Sequence, residues 1–100
     1  MSSVTSPAVP TPSTGVTTSV ASNAANVTLL AANAARKGAM ITNDGSNNLF
    51  VKLGATASAT SYTAKLIPGA YYELPSPVYT GIIDGIWDVA TGSARITELT

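Results

Sequence analysis

Carboxylates and aromatic rings are the residues of this chain that could carry chemistry. The sequence holds no histidine and no cysteine. A Ser-His-Asp triad, a thiolate nucleophile and a Cys-ligated zinc are therefore excluded. Acid–base work would fall to Asp44, Glu73, Asp84, Asp88 or Glu98, with a lysine or tyrosine as partner. Paired carboxylates hydrolyse glycosides at separations of about 5 to 9.5 Å. Asp84 and Asp88, in GIIDGIWDVATG, are the only acidic pair close in sequence. Flanked by Gly85 and Gly92, they read better as turn and strand-end residues. Gly81, Gly85 and Gly92 lack the spacing and the following lysine of a phosphate loop. No catalytic residue is assigned, and the chain is expected not to be an enzyme.

Tyr62, Tyr71, Tyr72, Tyr79 and Trp87 could form a platform for a sugar, because amphipathic rings beside carboxylates suit a carbohydrate face. Core or subunit packing is the favoured reading. In LIPGAYYELPSP, Tyr71 and Tyr72 must point to opposite faces of one strand, so one packs inward while the other caps an edge or an interface. Pro75 and Pro77 should end that strand and keep its edge from pairing with stray strands. A second site-like stretch is ITNDGSNNLFVKLG, residues 41–54. A calcium loop needs oxygens at alternating positions closed by a distant carboxylate. Only Asp44 is acidic there, and no further acid follows until Glu73. Asp44-Gly45 between apolar runs instead predicts the turn of a β-hairpin. No metal and no cofactor is implied.

Composition narrows the partners. One hundred residues support one domain with one modest core. The formal net charge is zero, so nothing draws the chain to phosphate backbones or anionic lipid. Neither nucleic acid nor membrane is expected. The segment MSSVTSPAVP lacks the basic and apolar regions of a secretory signal, and the apolar runs fall short of the ~20 residues that span a bilayer. Only 10% of residues are charged, against roughly 25–35% on an ordinary soluble surface. Much of the exterior is expected to be covered by neighbours.

These residues must be positioned by short strands. Residues 1–14 hold Pro7, Pro10 and Pro12 and read as an extended N-terminal arm. From residue 15 onward, runs rich in Val, Ile, Thr and Tyr are broken by turn formers about every ten residues, the pattern of a sandwich or barrel. Strands are expected at 16–21, 26–31, 38–42, 49–53, 61–66, 70–74, 81–87 and 94–99. In the 49–53 strand Leu49, Val51 and Leu53 share one face and Phe50 and Lys52 the other. Residues 22–38 also admit a helix: Ser22 or Asn23 could cap it, Val27, Leu30, Ala31 and Ala34 have helical spacing, and Arg36, Lys37 and Gly38 suit a C-terminus. The Val-Thr pair and the asparagines argue against one. Arg36, Lys37, Arg95 and Glu98 read as solvated charges or intersubunit ion pairs.

The phrases AARKGAMITNDGSNNLFVKLG, SYTAKLIPGAYYELP and YTGIIDGIWDVATGSARITELT, in this order, resemble small structural proteins of tailed bacteriophages. The resemblance covers residues 27–100 and leaves out the Pro-rich arm. Phe50 departs from it, standing where a tyrosine is expected. It implies a small antiparallel β-sandwich with an extended Pro-rich arm, and it favours a strand followed by a loop at 33–36 over a helix. The function it implies is head decoration: a cement protein on the outer surface of the phage head, bound in many copies to the major capsid protein and stabilising capsomer junctions. Such a protein is expected to be a homo-oligomer, with a trimer as one arrangement. Pro7, Pro10, Pro12, Arg36, Lys37, Tyr71 and Tyr72 are its candidate interface. The alternative is a tail-fibre or receptor-binding module that holds a host glycan through Tyr79, Asp84 and Trp87.

Overall fold

The computed structural model describes residues 11–100, so Pro7 and Pro10 lie outside it. The described chain forms eight strands: β1 (Gly15–Ala21), β2 (Val27–Leu30), β3 (Gly38–Asp44), β4 (Leu49–Leu53), β5 (Ala64–Leu66), β6 (Tyr71–Glu73), β7 (Ile83–Trp87) and β8 (Ser93–Leu99). They make two antiparallel sheets: a front sheet in the order β1-β8-β3-β6 and a back sheet in the order β2-β7-β4-β5. The architecture is a small all-β sandwich, one of the two forms the strand pattern allows and the one the resemblance implies.

Period-two alternation builds the core. Ala39 and Ile41 of β3 and Ala94 and Ile96 of β8 face inward from the front sheet. Leu49 and Val51 of β4, Leu66 of β5 and Ile83 and Trp87 of β7 meet them from the back sheet. Each large apolar side chain buried this fully contributes about 1.5–3 kcal/mol, which is how a sandwich this small is held.

The ambiguous 22–38 segment resolves as strand β2 followed by a turn. Asn33 makes the turn, its side-chain oxygen accepting from the Ala35 N–H (3.0 Å) and its carbonyl from the Arg36 N–H (3.0 Å). The Asn23 side chain likewise accepts from the Ala25 N–H at 2.9 Å. These asparagines bond local backbone in non-helical forms and so remove the helix. A register shift between Thr28 and Leu30 then turns Leu29 into the core. Leu29 lies over Gly85, where an added Cβ would sit 2.8 Å from the Leu29 Cδ1.

The hairpin expected at Asp44-Gly45 does not form. β3 lies in the front sheet and β4 in the back sheet, so residues 45–48 arch between layers. Tertiary packing overrides the local turn signal here. Asn43 continues the inward alternation of Ala39 and Ile41 and is fully buried. Its side-chain nitrogen donates to the carbonyls of Asn47 (2.7 Å) and Leu66 (2.9 Å), and its own backbone bonds Gly69 and Ala70. Gly45 is there for proximity: a Cβ on it would strike the Thr91 carbonyl, and one on Gly92 would strike the Asp44 carbonyl. The β3–β4 and β7–β8 connections thus cross at backbone contact.

The outer side of the back sheet is covered by the chain itself. Residues 54–63 fold over it, Tyr62 packing on Phe50 at 4.9 Å between ring centroids. The Lys52 ammonium donates to the Thr56 carbonyl (3.2 Å) and the Ser61 hydroxyl (2.8 Å). This wrap shortens the strand expected at 61–66 to its last three residues.

Two left-handed glycines separate conformation from crowding. A Cβ added at Gly69 (φ +82°) would have nothing within 4 Å, whereas one at Gly92 (φ +68°) would abut backbone. Gly69→Ala should cost about 1 kcal/mol from φ alone. Gly92→Ala should cost about 3 kcal/mol or more, because overpacking adds to the same conformational penalty. Urea denaturation of the two variants checks the ranking.

Candidate interaction surface

The residues picked out from the sequence separate into an internal set and a surface set. Arg36 belongs inside. Its side chain is fully buried, with its Nε 2.8 Å from the Glu98 Oε2. Its Nη1 donates to the carbonyls of Tyr79 (3.0 Å) and Gly81 (2.9 Å), and its Nη2 to that of Ala31 (2.6 Å). The reading of Arg36 as a solvated or intersubunit charge is corrected: its donors are taken up within the chain. Glu98 reaches it because it shares the inward face of Ala94 and Ile96 at the end of β8. Glu98 also accepts from the Asn33 side chain at 3.2 Å.

Lys37, next along the chain, is exposed and donates to the Thr11 carbonyl at 3.3 Å. Ser13 and Thr14 both donate to the Thr100 carbonyl, and Thr100 donates back to Thr14 at 2.8 Å. The described end of the arm, half-buried Pro12 included, is thereby held against the C-terminal strand.

Tyr79, Asp84 and Trp87 do not converge. Trp87 is 1% exposed and faces the core, its Nε1 donating to Asn43 at 3.4 Å. Asp84 lies on the opposite face of β7, buried under residues 54–57. Its Oδ2 accepts from the Asn26 side chain (3.0 Å) and the Thr56 N–H (2.7 Å), while Oδ1 is buried without a partner. Tyr79 packs partly against the core. A glycan platform of these three would need Trp87 at the surface, and the structure places it inside. The strand-end reading of Asp84 is likewise corrected: it anchors a loop. That loop holds Thr56, a β-branched residue, at φ +62°. Asp88 is exposed and accepts from the backbone and side-chain nitrogens of Asn48 at 3.0 and 3.1 Å. Among the described residues no three acidic side chains cluster as a metal site would require.

Among the described residues nothing covers the outer face of the front sheet. Its cross-strand rows read Thr17, Thr97, Met40, Glu73 and then Ser19, Arg95, Thr42, Tyr71. The Thr17 and Thr97 hydroxyls are 3.3 Å apart, and Arg95 donates to Ser19 (2.8 Å) and to Asp44 (2.8 Å). Hydroxyls and one self-neutralised ion pair therefore pave the middle of the sheet, with Met40 38% and Tyr71 65% exposed towards its β6 side. Tyr72, opposite Ile41, packs partly on the core, so the tyrosine pair divides as the alternation requires. No family model, curated protein or solved structure matches this chain.

Asn43 and the internal role of Arg36 are the features that sequence reasoning passed over. The parity of 39, 41 and 43 was a usable signal for Asn43. For Arg36 there was none, since its acceptors come from residues 31, 79, 81 and 98.

Arg36→Ala should destabilise the fold by about 3–5 kcal/mol, because a half-buried carboxylate and three carbonyls lose their partner. Arg95→Ala, at a pair more than half exposed, should stay within about 1 kcal/mol. Thr56→Gly should stabilise by about 1 kcal/mol by relieving the left-handed backbone. Denaturation midpoints at fixed m-value report all three.

Proposed function

We propose that this chain is a decoration protein of a phage head. In this reading it binds the outer shell in many copies through the front sheet and bridges capsomer junctions by adhesion alone. The observation that carries it is the outer face of that sheet: four strands, a Ser/Thr floor, an ion pair closed on itself, and the exposed Met40 and Tyr71. Such a face loses little on desolvation, since few charges must shed water, and it gains from burying two large side chains. The low overall charge and the phage-like phrases in the sequence support the same reading. The copy number of a shell would multiply weak single contacts into firm attachment. The major capsid protein is the partner in this proposal, and the outer head surface is the location.

Cosedimentation of the purified chain with undecorated phage heads tests it. The double variant Met40→Ala, Tyr71→Ala should reduce head occupancy at least about tenfold, the equivalent of 1.4 kcal/mol, with its denaturation midpoint little changed. Removing residues 1–10 should weaken attachment and leave the domain folded. Absence of head binding by the unmodified chain, or specific binding to a glycan array, would overturn the reading.

A further inference from the structure

The sandwich has four edge strands, and three are poor places to add another. β5 and β6 are three residues long, and β2 has four residues with a break in register. Pro75 and Pro77 follow β6, the residue type that stops an edge from recruiting partners. β1 is different. It is seven residues long, GVTTSVA, with no charge and no proline, and pairs with β8 without interruption from Gly15↔Leu99 to Ala21↔Ser93. Among the described residues no strand lies on its other side.

The hydrogen-bond parity says which groups on that edge are open. Thr14 and Thr100 bond each other in both directions, and Ser22 donates to the Gly92 carbonyl at 3.0 Å. Even-numbered residues therefore direct their N–H and C=O groups to β8. Gly15, Thr17, Ser19 and Ala21 direct theirs outward. The side chains of Val16, Thr18 and Val20 oppose Glu98, Ile96 and Ala94 and so share the inward side of the sheet. Val16 is nonetheless 52% exposed, beyond the rim of the core.

β1 is also close to a palindrome about Thr18: a small residue, a valine and a hydroxyl residue stand on each side. We infer that β1 pairs antiparallel with β1 of a second copy, with a twofold axis at Thr18. In this register Gly15 faces Ala21, Val16 faces Val20, Thr17 faces Ser19, and the two copies of Thr18 face each other. The hydrogen-bonded pairs are then the odd-numbered residues, whose backbone groups are the open ones. A shift of one residue breaks that parity. A shift of two keeps it but sets each valine against a threonine or a serine, so both valine–valine contacts are lost.

Charge agrees with the pairing. Neither edge carries any, and the row through Arg95 and Ser19 would continue into Thr17 and Thr97 of the second copy, so no like charges meet. Seven paired residues extend over about 24 Å. Held by a single strand pair, the dimer is expected to exchange with monomer and to depend on concentration. The joined front sheet is closed by symmetry and ends in β6 on both sides, which prevents fibre growth. This inference does not depend on the decoration reading. It makes a dimer, in place of a trimer, the unit that any larger surface would receive.

Sedimentation equilibrium on the isolated full chain tests it without phage heads, so its failure and that of the decoration reading are separate results. The chain should pass from monomer to dimer as concentration rises. Thr18→Lys and Thr18→Glu should each weaken association at least about tenfold through like charges at the axis, and an equimolar mixture should restore the dimer. The chain has no cysteine, so Thr18→Cys provides a clean second reading. Its thiols would lie on Cα atoms about 4.5 Å apart, within disulfide range. With oxidised glutathione it should form covalent dimer faster than Thr60→Cys, placed in an exposed loop. A monomer at every concentration, a trimer, or equal cross-linking of the two cysteine variants would overturn the inference.

Discussion

A guanidinium without water must find its acceptors inside the protein, and Arg36 finds them in three separate parts of the chain. The end of β2 supplies the Ala31 carbonyl, the connection into β7 supplies those of Tyr79 and Gly81, and β8 supplies Glu98. Acceptors in such positions exist together only when the two sheets have stacked and the long connection has closed over one end. The residue therefore reports completion of the fold as well as stabilising it. Apolar burial is non-directional and could tolerate a sliding of one sheet over the other. Four directed bonds from one rigid fork could not. Arg36 thus sets the relative position of layers that the hydrophobic core only holds together.

The other end of the sandwich is fixed by a neutral equivalent. Asn43 places an amide between β3, the 45–48 arch and the chain leaving β5, and both of its side-chain donor contacts go to backbone carbonyls. Beside it, Gly45 and Gly92 let two connections cross without side chains between them. One end is held by charge-assisted bonds and the other by an amide and close backbone packing. The strands between them need only aliphatic alternation.

Sequence reasoning recovered what is local. All eight strands were expected in the right places, because period-two alternation and turn residues are properties of adjacent positions. The 22–38 segment was evenly balanced between helix and strand on local signals, and the resemblance tipped it to strand and loop; the turn bonds of Asn23 and Asn33 are what decide it in the structure. The arch at Asp44-Gly45 was misread for a physical reason: the dipeptide meets the local requirements of a hairpin, and only the sheet membership of β3 and β4 contradicts it. Arg36 was misread similarly, since an Arg-Lys pair is ordinarily solvated and its acceptors lie far away in sequence. Trp87 and Asp84, three residues apart on β7, were joined as a site, although odd separation along a strand puts them on opposite faces.

The two sheets are finished differently among the described residues. The back sheet has its outer side closed by residues 54–63, with Phe50 under Tyr62, Lys52 tied to the loop and Asp84 receiving it. That closure uses a lysine, a carboxylate and a strained threonine. The front sheet has no comparable cover among the described residues, and its long edge strand carries none of the lysines, prolines or bulges that usually blunt an edge. Its hydroxyls Thr17 and Thr97 meet each other, Ser19 meets Arg95, Arg95 pairs with Asp44, and Glu73 is the further charge, on β6. Among the described residues the chain caps one sheet with its own loop and leaves the other uncovered, with few charges and seven residues of unpaired edge on β1. Such a surface offers little charge to desolvate and would discriminate by register and shape, which is why the decoration proposal is placed on it and not on the back sheet.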